Sequence, residues 1–219
     1  IFQDWLETEK SKCVQQKGEE VLISIEHLRQ AKQPQALLFG LLENYGFTGN
    51  IIGEIWEALD SEPGKLFYSE THELLKDRKH LILRKRKKKS KESYLISENV
   101  QFLEKPFPLK IEILDKSGSF EFSKNRNVAC LDYERLEFPL KLRKWQEGDY
   151  LFPLGMNGKK KLSDYFVDEK FSRFEKEETW ILCSGKKIVW IIGHRLDDRF
   201  KITPESNKIM KITLVSENG

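Results

Sequence analysis

The stretch FPLGMNGKKKLSDYF, from Phe152 to Phe166, sets three ammonium groups, Lys159, Lys160 and Lys161, between Gly158 and a segment with helical apolar spacing. That order of residue types suits phosphate. Gly155 and Gly158 allow a tight backbone, and the N–H groups at a helix start carry partial positive charge. Lysines there add mobile point charges, so the stretch fits a phosphate backbone. The same residues also read as an exposed loop whose lysines serve solubility. Physical chemistry alone leaves both readings open.

A second basic run, RKRKKKSK from Arg84 to Lys91, carries seven positive charges and no negative one. Net charge is only +3, and without this run 31 basic residues face 35 acidic ones, so the basicity is local. A solvated linker beyond a strand end competes with a patch for nonspecific phosphate attraction. Asp197-Asp198, flanked by Arg195, Arg199 and Lys201, reads as a charge-paired turn rather than a catalytic carboxylate pair. Ser163-Asp164 has no histidine near in sequence, which argues against a nucleophilic serine. The sequence holds no GxxxxGK[ST] loop, no GxGxxG after a strand, no HExxH and no SGGxDS-type ATP loop. Cys13, Cys130 and Cys183 are odd in number and far apart. They make no CxxC pair and no ligand spacing with His27, His72, His80 or His194, which points to reduced thiols in a cytoplasmic setting. No apolar run reaches the roughly 18 residues of a membrane span.

These groups need elements to hold them. The opening IFQDWLETEKSKCVQQKGEE begins at Ile1, is no signal peptide, and reads as a helix under way that stops near Gly18. The expectation is a piece of a longer chain. QPQALLFGLLENYGF reads as a helix with Pro34 in its first turn and Gly46 as its stop. TGNIIGEIWEALDSEPG reads as another, with Asn50 as N-cap and Pro63-Gly64 as its end. KLFYS and HLILRKRK then read as the two strands of a hairpin. Beyond SKES, the segments YLISENVQFL, PLKIEILD, SFEFSK and PLKLRKW alternate apolar and polar residues. TWILCSGKKIVWIIG reads as a hairpin around Ser184-Gly185, with Ile188–Ile192 buried on both faces and Trp190 in the core. EGDYLFPLG gives a turn, a short extended piece and another turn. KKLSDYFVDEK gives one to three helical turns with Leu162, Tyr165 and Phe166 inward. The expected fold class is α+β. A small helical domain with a terminal hairpin spans 1–92, and a β-rich, sandwich-like domain with short helices spans 93–219.

LRKWQEGDYLFPLGMNGKKKLSDYFVDEK and IVWIIGHRLDDRFKIT closely resemble the C-terminal region of tRNA(Ile)-lysidine synthetases. The residues that carry the resemblance are Arg143, Gly148-Asp149, Pro153, Gly155-Met156, Gly158, Lys160-Lys161, Ser163-Asp164 and Phe166. Gly193, Arg195, Asp198-Arg199 and Lys201 follow at the family's distance. GKLFYSETHELLKDRKHLIL looks, more loosely, like the family's middle, substrate-recognition domain. The resemblance is strong over 128–203 and weak over 1–90.

The resemblance implies an ATP-dependent carbon–nitrogen ligase of tRNA modification. ATP adenylates the wobble cytidine of an isoleucine tRNA with a CAU anticodon, and the lysine amine then displaces AMP to give lysidine. That chemistry, with its ATP and Mg, belongs to an N-terminal domain carrying the SGGxDS loop, which this sequence lacks. No catalytic, cofactor or metal residue is therefore expected here, and the fragment is expected to be inactive alone. Its implied role is to position tRNA. The candidate tRNA-binding residues are Arg143, Lys159, Lys160, Lys161, Ser163, Arg195, Arg199 and Lys201, with Arg84, Lys85, Arg86 and Lys87 from the basic run. The implied final domain is a sandwich shared with part of a phenylalanyl-tRNA synthetase subunit. The competing reading is a protein-interaction or dimerisation module, such as a homodimer, with an incidental basic segment.

Overall fold

The computed structural model describes residues 2–87, 92–116, 123 and 125–215, without the side chains of residues 2 and 3. Lys88, Lys89 and Lys91 of the basic run, and most of SFEFSK, lie outside the described residues. The architecture is α+β with antiparallel sheets. It divides into two compact units: Ile1–Lys89 with Ser172–Phe174, and Ser90–Phe171 with Glu175–Gly219.

The first unit opens with helix α1, Phe2–Cys13. The strands β1, Val14–Lys17, and β2, Glu20–Ser24, follow as an antiparallel hairpin. The expected long helix therefore ends five residues early. Val14 and the VLI of β2 favour extended chain, and Gly18 at φ 59° supplies the left-handed turn. Ser24 caps α2, Ile25–Gln30. Helix α3, Pro34–Leu42, has its proline in the first turn, and Gly46 at φ 80° closes the 3-10 turn after it. Helix α4, Gly49–Glu57, is preceded by Thr48 rather than Asn50.

The strands β3, Leu66–Tyr68, β4, His72–Lys76, and β5, His80–Lys85, complete a five-stranded sheet ordered β1-β2-β5-β4-β3. KLFYS and HLILRKRK are therefore not hairpin partners: HELLK, whose EL-LK pattern carries no strand alternation, lies between them. The apolar stripes of α2, α3 and α4 (Leu28, Leu37, Leu38, Leu42, Ile55) pack with Ile23, Leu74, Leu81 and Leu83 of the sheet.

The second unit holds two four-stranded sheets. One is ordered β14-β13-β10-β6, from β6 (Ser93–Ile96), β10 (Leu140–Lys144), β13 (Trp180–Ser184) and β14 (Lys187–Ile191). The other is ordered β7-β8-β15-β9, from β7 (Phe102–Leu103), β8 (Leu109–Asp115), β9 (Val128–Asp132) and β15 (Lys208–Leu214). Ile96, Leu140, Leu142, Leu182 and Trp190 of the first sheet share a core with Leu109, Ile111, Leu131, Met210 and Ile212 of the second. The alternating strands predict a β-rich half, and the two sheets pack face to face as the sandwich that the resemblance implies.

The other face of the first sheet is also covered. There Ile181, Ile188 and Ile191 meet Leu151 and the Leu162, Tyr165 and Phe166 of α5, Leu162–Asp168. That double burial explains the unbroken apolar run of β14. It also fixes in space what precedes α5: a two-stranded ribbon of β11, Tyr150–Leu151, and β12, Lys160–Lys161. A short helix α6, Arg173–Glu178, precedes β13. Among the described residues no helix is long and apolar enough to cross a membrane.

Candidate nucleic-acid interface

Tyr150 pairs with Lys161 and Leu151 with Lys160 in the ribbon. Side chains alternate along a strand, so Tyr150 and Lys161 take one face and Leu151 and Lys160 the other. Phe152, just beyond β11, and Lys159, just before β12, join the Tyr150 face through contacts with its ring. Burial follows that division: Leu151 is fully buried, whereas Lys159 and Lys161 are exposed. Lys160 is half-buried and ion-paired to Asp168 at the end of α5. The lysine triplet is thus not three equivalent surface cations.

On the outward face, Lys159 Nζ lies 3.7 Å from the centroid of the Tyr150 ring. A second loop brings a further cation. Leu154 N–H donates to the Leu196 carbonyl (2.9 Å) and Asp198 N–H to that of Phe152 (2.7 Å), stitching the residues after β11 to the turn beyond β14. The Arg199 guanidinium then lies 4.5 Å from the Phe152 ring and 5.8 Å from that of Tyr150. Cation–π attraction of this kind holds flexible cations in place while leaving charge available to an anion. The aromatic pair was legible as the i, i+2 spacing in DYLFP, but the loop containing Arg199 gives no sequence sign of meeting it.

Asp197 and Asp198 form the charge-paired turn expected of them. Arg199 forks onto Asp197, Nε at 2.8 Å from Oδ1 and Nη2 at 2.7 Å from Oδ2, which raises its pKa further above the ordinary guanidinium value. Lys201 pairs with Asp198 at 2.9 Å and is exposed. Arg195 is half-buried, 3.5 Å from the Leu154 carbonyl.

Several sequence candidates sit elsewhere. Arg143 is forked onto Asp149, with both nitrogens 2.8 Å from its two oxygens, and also donates to the Lys144 carbonyl at 3.0 Å. Asp149 further accepts the Gln146 N–H at 2.7 Å, so the pair shapes the turn before β11 instead of presenting a free cation. Arg143→Ala is expected to lower the stability of this unit by about 1.5–3 kcal/mol, the range for a hydrogen bond to a charged group. Urea denaturation followed by tryptophan fluorescence checks it, and a loss under about 0.5 kcal/mol would contradict a shaping role.

The start of α5 offers an anion less than its sequence suggests. The helix has seven residues, its first N–H, on Leu162, donates to the Asp149 carbonyl at 2.9 Å, and Asp164 adds a carboxylate to its first turn. The Ser163 hydroxyl donates to Asp164 at 3.1 Å.

In the first unit, Arg84 is 4% exposed at its side chain and bound to Glu73 at 2.7 Å, so it leaves the set of surface candidates. Its place in the run hid a pairing set by the β4–β5 register, Glu73 opposite Arg84. Lys85, Arg86 and Lys87 are exposed. Arg86 lies 5.4 Å over the exposed Tyr68 ring, and Lys87 pairs with Glu19 at 3.1 Å. The three cysteines are free and buried, and burial pushes each thiol up from its ordinary value, away from nucleophilic use at neutral pH.

Residues 16–87 match the family model of the TilS substrate binding domain, and residues 140–213 that of the TilS substrate C-terminal domain. The chain is 45% identical over 193 residues to a tRNA(Ile)-lysidine synthase of Parabacteroides distasonis, covering 88% of this chain and 44% of that protein. It is 34% identical over 215 residues to one of Bacteroides thetaiotaomicron, covering 98% of this chain and 47% of that protein. The chain spans about half the length of these curated relatives. A solved structure described as the crystal structure of the TILS C-terminal domain aligns with TM-score 0.49 at 19% identity, over 58% of this chain and 100% of that one.

Proposed function

This chain belongs to the tRNA(Ile)-lysidine synthase family, and we propose that it grips tRNA by its phosphate backbone through the Tyr150 face of the second unit. The chain carries that family's substrate-binding and C-terminal domains. The finer reading assigns it the positioning of an isoleucine tRNA with a CAU anticodon, for a reaction whose ATP, Mg and lysine are handled outside these 219 residues, in the cytoplasm. Lys159, Lys161, Arg199 and Lys201 are the proposed contacts, with Lys85, Arg86 and Lys87 as further contacts on the first unit.

The observation that carries this reading is the alternation in the β11–β12 ribbon. It turns Lys159 and Lys161 outward on the same face as two aromatic rings and Arg199, while Lys160 is spent on Asp168. Exposed charges such as those of Lys159 and Lys161 usually change stability by no more than about ±0.5 kcal/mol, so folding does not account for their placement. Backbone contacts of this kind position a nucleic acid without reading its sequence, and A-form stems are recognised largely by shape.

A mobility-shift titration with an in vitro transcribed isoleucine tRNA tests it. The affinity should fall with salt with a log–log slope of about −0.7 to −0.9 per neutralised phosphate. ATP–pyrophosphate exchange by the same sample, with lysine and tRNA present, should stay at background. Absence of binding, or binding indifferent to salt, would favour a protein-interaction module instead.

A further inference from the structure

Asp197 is fully buried, yet its carboxylate takes four hydrogen bonds from two places in the chain. Oδ2 accepts the Phe152 N–H at 2.9 Å and Arg199 Nη2 at 2.7 Å. Oδ1 accepts the Arg199 N–H at 3.0 Å and its Nε at 2.8 Å. One side chain therefore ties the backbone leading from Tyr150 to both the backbone and the guanidinium of Arg199. Without that tie, a long arginine side chain at 28% exposure would sample many rotamers and lose entropy on meeting an anion. With it, the planar fork is fixed against Phe152, and Asp197 consumes two of its five N–H donors.

We propose that Asp197 is a positioning residue for RNA: it holds Arg199 in the orientation from which the guanidinium meets a phosphate. This rests on the reading of the Tyr150 face as a phosphate-contacting surface.

The proposal makes a prediction opposite in sign to bulk electrostatics. Deleting a negative charge beside a basic surface should strengthen RNA binding if only net charge matters. Positioning requires that it weaken binding. In salt titrations of the 219-residue chain against the isoleucine tRNA transcript, Arg199→Gln should bind about tenfold more weakly, with its salt slope reduced by about 1. Asp197→Asn should lose a similar factor and slope, and the double variant should lose no more than either single one. Arg199→Lys, which keeps the charge and loses the fork, should resemble Arg199→Gln, and it decides the question by itself if thermal melting shows that Asp197→Asn does not fold.

Folded Asp197→Asn binding as tightly as the parent or more tightly would overturn the proposal, as would Arg199→Lys binding like the parent. If Arg199→Gln changes nothing while reversal of Lys159 and Lys161 abolishes binding, the positioning role fails and the surface stands. If neither matters, both fail.

Discussion

Arg84→Ala is expected to cost the first unit about 3–5 kcal/mol, the penalty for leaving one partner of a buried ion pair uncompensated. Arg84 and Glu73 have side chains 4% and 12% exposed, and their 2.7 Å bond crosses the β4–β5 ladder at directly opposed positions. Removing the guanidinium strands a carboxylate on the face of the sheet that also carries the buried Leu75 and Ile82. Lys85→Ala, one residue on and exposed, should stay within about ±0.5 kcal/mol. Replacing both partners by apolar residues, Arg84→Met with Glu73→Leu, should recover most of the loss, because the desolvation cost disappears with the charges. Amide hydrogen exchange in β4 and β5 reads this unit without assuming that the whole chain unfolds in one step. An Arg84→Ala loss below about 1 kcal/mol would mean that the pair is hydrated in solution.

Arg84 also shows where sequence reading stops. A run of seven charges looks uniform, because composition does not say which member has a partner. The partner lies eleven residues away in a strand that the sequence did not reveal, since the glutamate and leucines of HELLK suit a helix as well as a strand. The helices α3 and α4 were legible because Pro34, Gly46 and the spacing of their apolar residues agree at the local level. So was β14, whose apolar run has room only in a doubly covered strand. The opening helix was overextended because VQQK carries no breaker before Gly18, and its strand character comes from pairing with β2. At the candidate surface, the cations and glycines were visible. Their sorting into faces was not, because it depends on Lys160-Lys161 being strand rather than the first turn of α5. Asp197 was rightly placed in a charge-paired turn. Its reach to the Phe152 backbone, 45 residues distant, is tertiary and left no local sign.

Reversing Lys159 and Lys161 together to glutamate is expected to weaken tRNA binding about a hundredfold at low salt and to reduce the salt slope by about 2, one for each phosphate no longer neutralised. Both side chains are exposed on the Tyr150 face, and the ring under Lys159 fixes that cation at 3.7 Å without neutralising it. Discrimination among tRNA sequences should change little, because backbone contacts position more than they specify. Lys160 is the internal control. Its ammonium is already paired with Asp168 on the opposite face, so Lys160→Glu should set two carboxylates against each other at the end of α5 and loosen that helix. It should leave the salt slope within a few tenths of the parent, about what a cation that meets no phosphate allows. Lys186 and Lys187, exposed at the β13–β14 turn with no aromatic ring holding either ammonium among the cation–ring contacts of the described residues, give a second comparison. Their reversal should cost less per charge. Two results would count against the surface. Equal damage from all three lysines would show that net charge, and not the ribbon's alternation, governs binding. An unchanged affinity in a folded Lys159/Lys161 variant would remove this face from tRNA binding and leave Lys85, Arg86 and Lys87 of the first unit as the cations to test next.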